Sequence, residues 1–295
     1  MTRFERQLQM IQQDQQRGAA QLARMGIEAL LAWVQASQQL GDRQFLAGVE
    51  GALTHLIRLR PTMAPIANWA KAFERRFNQV LKTATQVEQP ALALQICRDI
   101  LAEQASMLEK QIEAARPLLA PFDCLMTLSF SSTVEALLLE AAPTARLIIS
   151  ESRPLYEGRR LAQTFQKLGR SVTLITEAQI PTFIRRTDAV LLGADTIGAD
   201  LAVINKVGTY LLCLLAKQAN VPLFIAADTY KFRPDARGEE IDCEAQDGAQ
   251  IWPEHPELCV NIVFEPTPAS LIDRFITEKG ALTPVEMRKT VCKRG

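Results

Sequence analysis

What this chain lacks narrows its identity first. It has two histidines, His55 and His255, and none of its six cysteines forms a CxxC pair. Zinc-site spacing is therefore absent, and no metal or other cofactor is expected. The cysteines at 97, 124, 213, 243, 259 and 292 read as free thiols in a reducing, cytoplasmic setting. Cys213, inside an apolar helical segment, reads as inert core. Net charge is also missing: Lys plus Arg and Asp plus Glu each total 33. A balanced chain gives no case for direct nucleic-acid or membrane binding. No apolar run reaches membrane-spanning length, and the polar, Gln-rich opening does not read as a signal peptide. No GxGxxG follows the first strand candidate, so the dinucleotide fingerprint is missing too.

What remains is a chain able to fill a core, with 48% hydrophobic residues in 295. Its pattern changes near Pro117. Before it, segments 4–40, 44–58, 67–82 and 91–115 read as helices, with Gly41-Asp42, Pro61 and Pro65 as breaks. After it, short apolar runs alternate with helical segments. The strand candidates are 124–129, 146–150, 171–176, 189–193, 222–227 and 260–264. The helical candidates are 132–141, 155–168, 178–185 and 202–218, and the basic tail 284–295 is expected to fray. Strict alternation argues for an α/β fold, a parallel sheet with helices on both faces. Strands that are apolar throughout suit a sheet covered on both sides. The expected division is a helical domain, 1–116, followed by an α/β domain, 117–295.

Polar residues gather where strands end. Ser129, Ser131, Ser132 and Thr133 follow the first strand; Glu151, Ser152, Arg153 and Arg159 follow the second. Asp195 follows the fourth, in Gly193-Ala194-Asp195, and Asp228 to Lys231 follow the fifth. Asn205 and Lys206 are placed at the start of the next helix. Open parallel sheets bind ligands beyond the carboxyl ends of their strands, so these groups converge on one edge. Free amides and hydroxyls at Ser131-Ser132-Thr133 suit an anion, and equally a plain helix cap. Arg153 offers a planar fork for phosphate oxygens, or else an exposed turn. Arg60 is expected to reach in from the helical part. Asp195 and Asp228 can hydrogen-bond sugar hydroxyls, and either can act as acid or base. Lys206 reads as a ligand contact or as a surface partner of Asp200. Together these groups suggest a phosphorylated ligand.

These segments also carry a resemblance. Arg60-Pro61-Thr62, 127–133, Glu151-Ser152-Arg153-Pro154 with Glu157-Gly158-Arg159, Gly193-Ala194-Asp195, 203–209, 227–232, 261–268 and 276–280 resemble the translation initiation factor 2B alpha/beta/delta family. That family includes ribose-1,5-bisphosphate isomerase and methylthioribose-1-phosphate isomerase. The resemblance implies a helical domain followed by a Rossmann-like parallel-sheet domain, and a homo-oligomer formed through the latter. It implies catalysis by a cysteine after the first strand together with the Gly-Ala-Asp aspartate, Asp195 here; Asn205, Lys206 and Lys231 are expected to contact the phosphorylated pentose or nucleotide. The cysteine position falls on Ser129. A thiol titrates near pH ~8.5 and is readily tuned downward, whereas a serine hydroxyl needs an adjacent base. The expectation is therefore a phosphosugar-binding, regulatory protein, weakly catalytic or non-catalytic. An aldose–ketose isomerase is the alternative, and a translation-complex subunit with a vestigial pocket and a translation-factor partner is the third reading.

Overall fold

The computed structural model describes residues 2–243 and 245–292. The chain divides into two compact units, 1–107 and 108–295.

The first unit is helical: α1 (Arg3–Gln13), α2 (Ala19–Ala36), α3 (Asp42–Arg58), α4 (Ala64–Val80) and the start of α5 (Gln89–Leu119). Segment 4–40 is thus two helices rather than one. Asp14 ends the first in extended backbone, and Gly18 caps the second. Asp14 Oδ1 accepts from the amides of Gln16 (2.8 Å) and Arg17 (2.7 Å). Burial works against this carboxylate, but those amides and the Arg17 guanidinium hold its pKa below the usual range. The core between the helices is aromatic. Trp33 stacks on Phe45 at 5.9 Å between ring centroids, and Phe73 on Phe77 at 5.6 Å.

The last turns of α5 lead into the second unit, and Pro117 lies inside this helix rather than ending it. The strands and helices that follow are β1 (Cys124–Leu128), α6 (Ser132–Glu140), β2 (Arg146–Ser150), α7 (Glu157–Lys167), β3 (Val172–Ile175) and α8 (Ile180–Phe183). Then come β4 (Ala189–Gly193), β5 (Thr196–Ile197), β6 (Val203–Lys206), α9 (Thr209–Ala219) and β7 (Leu223–Ala226). Last are β8 (Ala245–Gln246), β9 (Asn261–Ile262), β10 (Phe264–Thr267), β11 (Arg274–Thr277), β12 (Gly280–Leu282) and α10 (Pro284–Cys292).

Seven strands form the main sheet in the order β12-β11-β7-β4-β1-β2-β3. All neighbours are parallel except β12, which turns back antiparallel on β11. Counting only the parallel strands along the chain, the order is that of a doubly wound sheet, which reverses between β1 and β4. Alternate side chains serve opposite faces. Leu125, Ile149, Leu191 and Phe224 meet α6, α7 and the end of α5, whereas Met126, Val190, Leu192 and Ile225 meet α8, α9 and α10. Both faces are covered, which is why these strands read as unbroken apolar runs.

Three expectations need correcting. The expected strand 260–264 is not part of the main sheet. Its residues belong to β9, paired with β8, and to β10, paired antiparallel with β6. The sixth parallel strand is β11 instead, buried from Phe275 to Thr277. The helix expected over 202–218 begins only at Thr209, because 203–206 form a buried strand between β5 and β10. Gly208 makes the turn at φ +99°, a left-handed conformation that favours glycine. The expected fraying tail is α10 up to Cys292, with Met287 and Val291 in the core; residues 293–295 lie outside the described residues. Among the described residues, no helix is long and apolar enough to cross a membrane.

Candidate functional site

The reversal between β1 and β4 opens the carboxyl edge of the sheet, and side chains fill it from both strands. Gly193 ends β4 against Ser131. A Cβ at Gly193 would lie 2.7 Å from Ser131 Oγ and 2.9 Å from its Cβ. The glycine is what lets the two strand ends approach.

Past β1, Ser129 is buried and sits in the left-handed region at φ 65°. Its amide donates to the Ser150 carbonyl at 3.4 Å, tying the ends of β1 and β2 together. Ser131 caps α6, its Oγ accepting from the Val134 amide at 3.4 Å. The cap reading of Ser131-Ser132-Thr133 is therefore realised. It still leaves the amides of the first helical turn without intrahelical partners.

Past β2, the loop is tightly bound. The Ser150 hydroxyl donates to Glu177 Oε1, and the Ser152 amide donates to the same oxygen at 2.7 Å. Ser152 and Tyr156 are both left-handed, at φ 63° and 58°. Together with Ser129, three such non-glycine residues stand in two adjacent loops. Each costs about 1–3 kcal/mol and persists only where its surroundings fix it, a pattern concentrated at functional sites. The peptide between Arg153 and Pro154 is cis. Arg153 is exposed; it donates to the Tyr156 hydroxyl and to the Ile251 carbonyl (3.2 Å). Arg159 lies over the Tyr156 ring, 3.8 Å from its centroid, and holds Glu151 at 2.7 Å.

Past β4, Asp195 is half-buried, and its amide donates to the Ile204 carbonyl at 2.9 Å. That bond lays the Gly-Ala-Asp turn along β6 and so beside Asn205 and Lys206. These two residues are on a strand, not a helix as expected. The β-branched pair Val203-Ile204 and the following glycine are the local signals for that. Asn205 Nδ2 donates to Thr209 Oγ1 at 3.0 Å. Lys206 is buried and pairs with Glu157 at 2.7 Å, not with Asp200 at the surface.

Past β7, Asp228 caps a short turn by accepting from the Tyr230 amide at 2.9 Å. Lys231, also buried, reaches back to the Ala194 carbonyl at 2.5 Å. The ends of β4 and β7 are thereby joined through the residue preceding Asp195.

The second unit thus gathers Ser129, Ser131, Ser132, Arg153, Asp195, Asn205, Lys206, Asp228 and Lys231 along one edge. Arg60 has a different task inside the helical unit. Its Nη1 donates to the carbonyls of Ile11 (3.3 Å), Gln12 (3.2 Å) and Asp14 (2.9 Å), closing the end of α1. A guanidinium there satisfies the orphan carbonyls of a helix terminus. The reading from sequence passed over Glu157 and Glu177 as site residues. Both act by holding site side chains or loops across the fold, Glu157 through Lys206 and Glu177 through Ser150 and Ser152, so no local signal marks them.

No thiol stands at this edge in β1: Cys124 begins that strand, at its opposite end. Burial pushes the thiols of Cys97 and Cys213 up to about 12. Cys124 is also raised by burial, with Arg146 opposing and Asp188 adding to the shift. Among the described residues, no cluster of three His, Cys, Asp or Glu side chains is arranged to hold a metal ion.

Comparisons with known proteins identify the family and bear out the fold. The model of the initiation factor 2 subunit family, IF-2B, matches residues 15–284. An eIF-2B subunit 2-like protein of Pyrococcus abyssi is 31% identical over 271 residues, covering 91% of this chain and 92% of that protein. A ribose 1,5-bisphosphate isomerase of Archaeoglobus fulgidus is 31% identical over 276 residues, covering 91% and 86% respectively. Among solved structures, the translation initiation factor eIF-2B of Pyrococcus horikoshii superimposes with a TM-score of 0.82 at 26% identity, covering 96% of this chain and 98% of that one.

Proposed function

The chain belongs to the initiation factor 2 subunit family, and from that premise we propose that it binds a phosphorylated pentose or nucleotide at the carboxyl edge of its sheet and turns it over weakly or not at all. The α6 terminus with Ser131 and Ser132, and the exposed fork of Arg153, receive the phosphate. Asp195 and Asp228 accept hydrogen bonds from sugar hydroxyls. Asn205, Lys206 and Lys231 line the buried floor.

The observation that carries this reading is Ser129. It is buried and left-handed at the β1 terminus, where the resemblance calls for a thiol. A hydroxyl there still makes hydrogen bonds to a ligand, but without an adjacent base it exchanges no protons near neutrality. Binding survives such a replacement and catalysis does not.

Isothermal calorimetry against ribose 5-phosphate, ribose-1,5-bisphosphate and AMP, followed by a coupled ketose assay, tests the proposal. The expected result is binding of at least one ligand, little turnover, and a strong rise in turnover for Ser129→Cys. Binding of none of them removes the reading. Ready turnover by the wild type, lost in Asp195→Asn, would instead establish the isomerase, the reading favoured by the placement of Asp195 beside Asn205. Assembly belongs to the same proposal: Tyr210, Leu211 and Leu214 leave an exposed apolar face on α9, which supports a homo-oligomer formed through the α/β unit. Light scattering at micromolar concentration measures this directly, and a monomer would refute it.

A further inference from the structure

Two polar atoms between the end of β2 and the first residue of α7 are buried without any hydrogen-bond partner, Ser152 Oγ and Glu157 Oε2. Ser152 is wholly inaccessible. Native interiors rarely leave such atoms alone, and each calls for an explanation. Neither atom is orphaned by slack in the backbone. The Gly158 amide donates to the Glu151 carbonyl at 3.1 Å, and a Cβ at Gly158 would lie 2.0 Å from the Ser150 carbonyl oxygen. The first turn of α7 is pressed against the end of β2, so Glu157 is fixed in place.

The other oxygen of Glu157, Oε1, holds the Lys206 ammonium at 2.7 Å, with the lysine side chain 7% exposed and the glutamate 15%. A lysine in a phosphate site normally presents an uncompensated positive charge. Here the charge is matched, and a carboxylate oxygen lies against it. A phosphate brought to Lys206 would meet that carboxylate at close range, a like-charge approach in a site shielded from water. A hydroxyl meets no such opposition. Its oxygen accepts one of the two ammonium protons not directed at Glu157, and its proton goes to the unpartnered Oε2.

We propose that Glu157 makes Lys206 a reader of a sugar hydroxyl and excludes phosphate from that place, so that the chain selects a monophosphorylated pentose over a bisphosphate. The inference rests on the phosphosugar reading above and names the substrate class within it.

Calorimetry of the whole chain with ribose 5-phosphate and with ribose-1,5-bisphosphate decides it. The wild type is expected to bind the monophosphate more tightly. Glu157→Gln keeps the shape and the bond to Lys206 but removes the charge. It is expected to tighten bisphosphate binding by about tenfold or more, the scale of one relieved like-charge contact, and to weaken monophosphate binding. A wild type that prefers the bisphosphate overturns the inference while leaving phosphosugar binding intact. An unchanged ratio in a folded Glu157→Gln overturns it likewise. Should that variant fail to fold, the wild-type preference alone decides. Binding of neither sugar removes both the inference and the reading beneath it.

Discussion

The two units of this chain handle buried polar groups in opposite ways. In the helical unit fully buried polar side chains are few, Ser37, Thr62 and Gln89 among them, and the half-buried Arg60 and Asp14 close helix ends: Arg60 takes three carbonyls of α1, and Asp14 takes the amides that follow. In the α/β unit two lysines and several serines and threonines are buried, many of them at the carboxyl edge of the sheet. The contrast follows from backbone geometry. A helix satisfies its own interior and needs help only at its ends. A parallel sheet ends every strand on the same side, so its loops must settle many polar groups in one place. That concentration is what makes the carboxyl edge the candidate site.

The sharpest way to break the contrast is Lys206→Ala. It strands Glu157, already short of one partner, as an uncompensated buried charge, and about 3–5 kcal/mol of stability should be lost. Urea unfolding measures this; a loss below about 1 kcal/mol, within the range of ordinary surface changes, would mean that the pair is solvated after all. Gly158→Ala comes next. The new methyl meets backbone rather than a flexible side chain, so α7 must shift, at a cost of about 1–3 kcal/mol. Ligand affinity should fall with it, and an unchanged calorimetric titration would show that α7 need not be pinned. Arg60→Ala should cost about 1–2 kcal/mol by exposing the end of α1. Its phosphosugar affinity should match the wild type, and a large loss there would return Arg60 to the site.

The smallest effect is alkaline. Cys97 in one unit and Cys213 in the other stay protonated when folded up to about 12, whereas an unfolded thiol ionises near ~8.5. Their contribution is complete below about pH 8.5 and is lost progressively as pH rises towards 12, because only the unfolded chain sheds the proton. The melting temperature of a Cys97→Ala, Cys213→Ala double variant should fall less steeply over that range than that of the wild type. Parallel slopes would contradict the burial of both thiols.

Much of this was legible in the residues. Five of the six expected strands form β1, β2, β3, β4 and β7 within a residue or so of their expected ends, and α6 and α7 lie where expected. Apolar runs covered on both faces leave a strong signal. The misreadings share a cause. Val203-Ile204 and Gly208 mark a break locally, but two β-branched residues before the polar pair Asn205-Lys206 are too few to announce a strand paired with β5 and β10. The fifteen-residue stretch 260–274 hides a change of sheet, so β11 was overlooked. Asp195, Lys231 and Ser129 could be chosen from position at strand ends. Glu157 could not, since its role lies in a bond to a residue 49 positions away.

Sequence alone determined the alternating order of strands and helices, the edge at which polar groups collect, and the hydroxyl at position 129. Local pattern and chain order suffice for those. Only the tertiary structure decided that Arg60 closes a helix, that Asn205 and Lys206 ride on a strand, and that Lys206 is neutralised by Glu157. Each of these depends on which groups meet across space, and charge compensation in a buried place has no local signature.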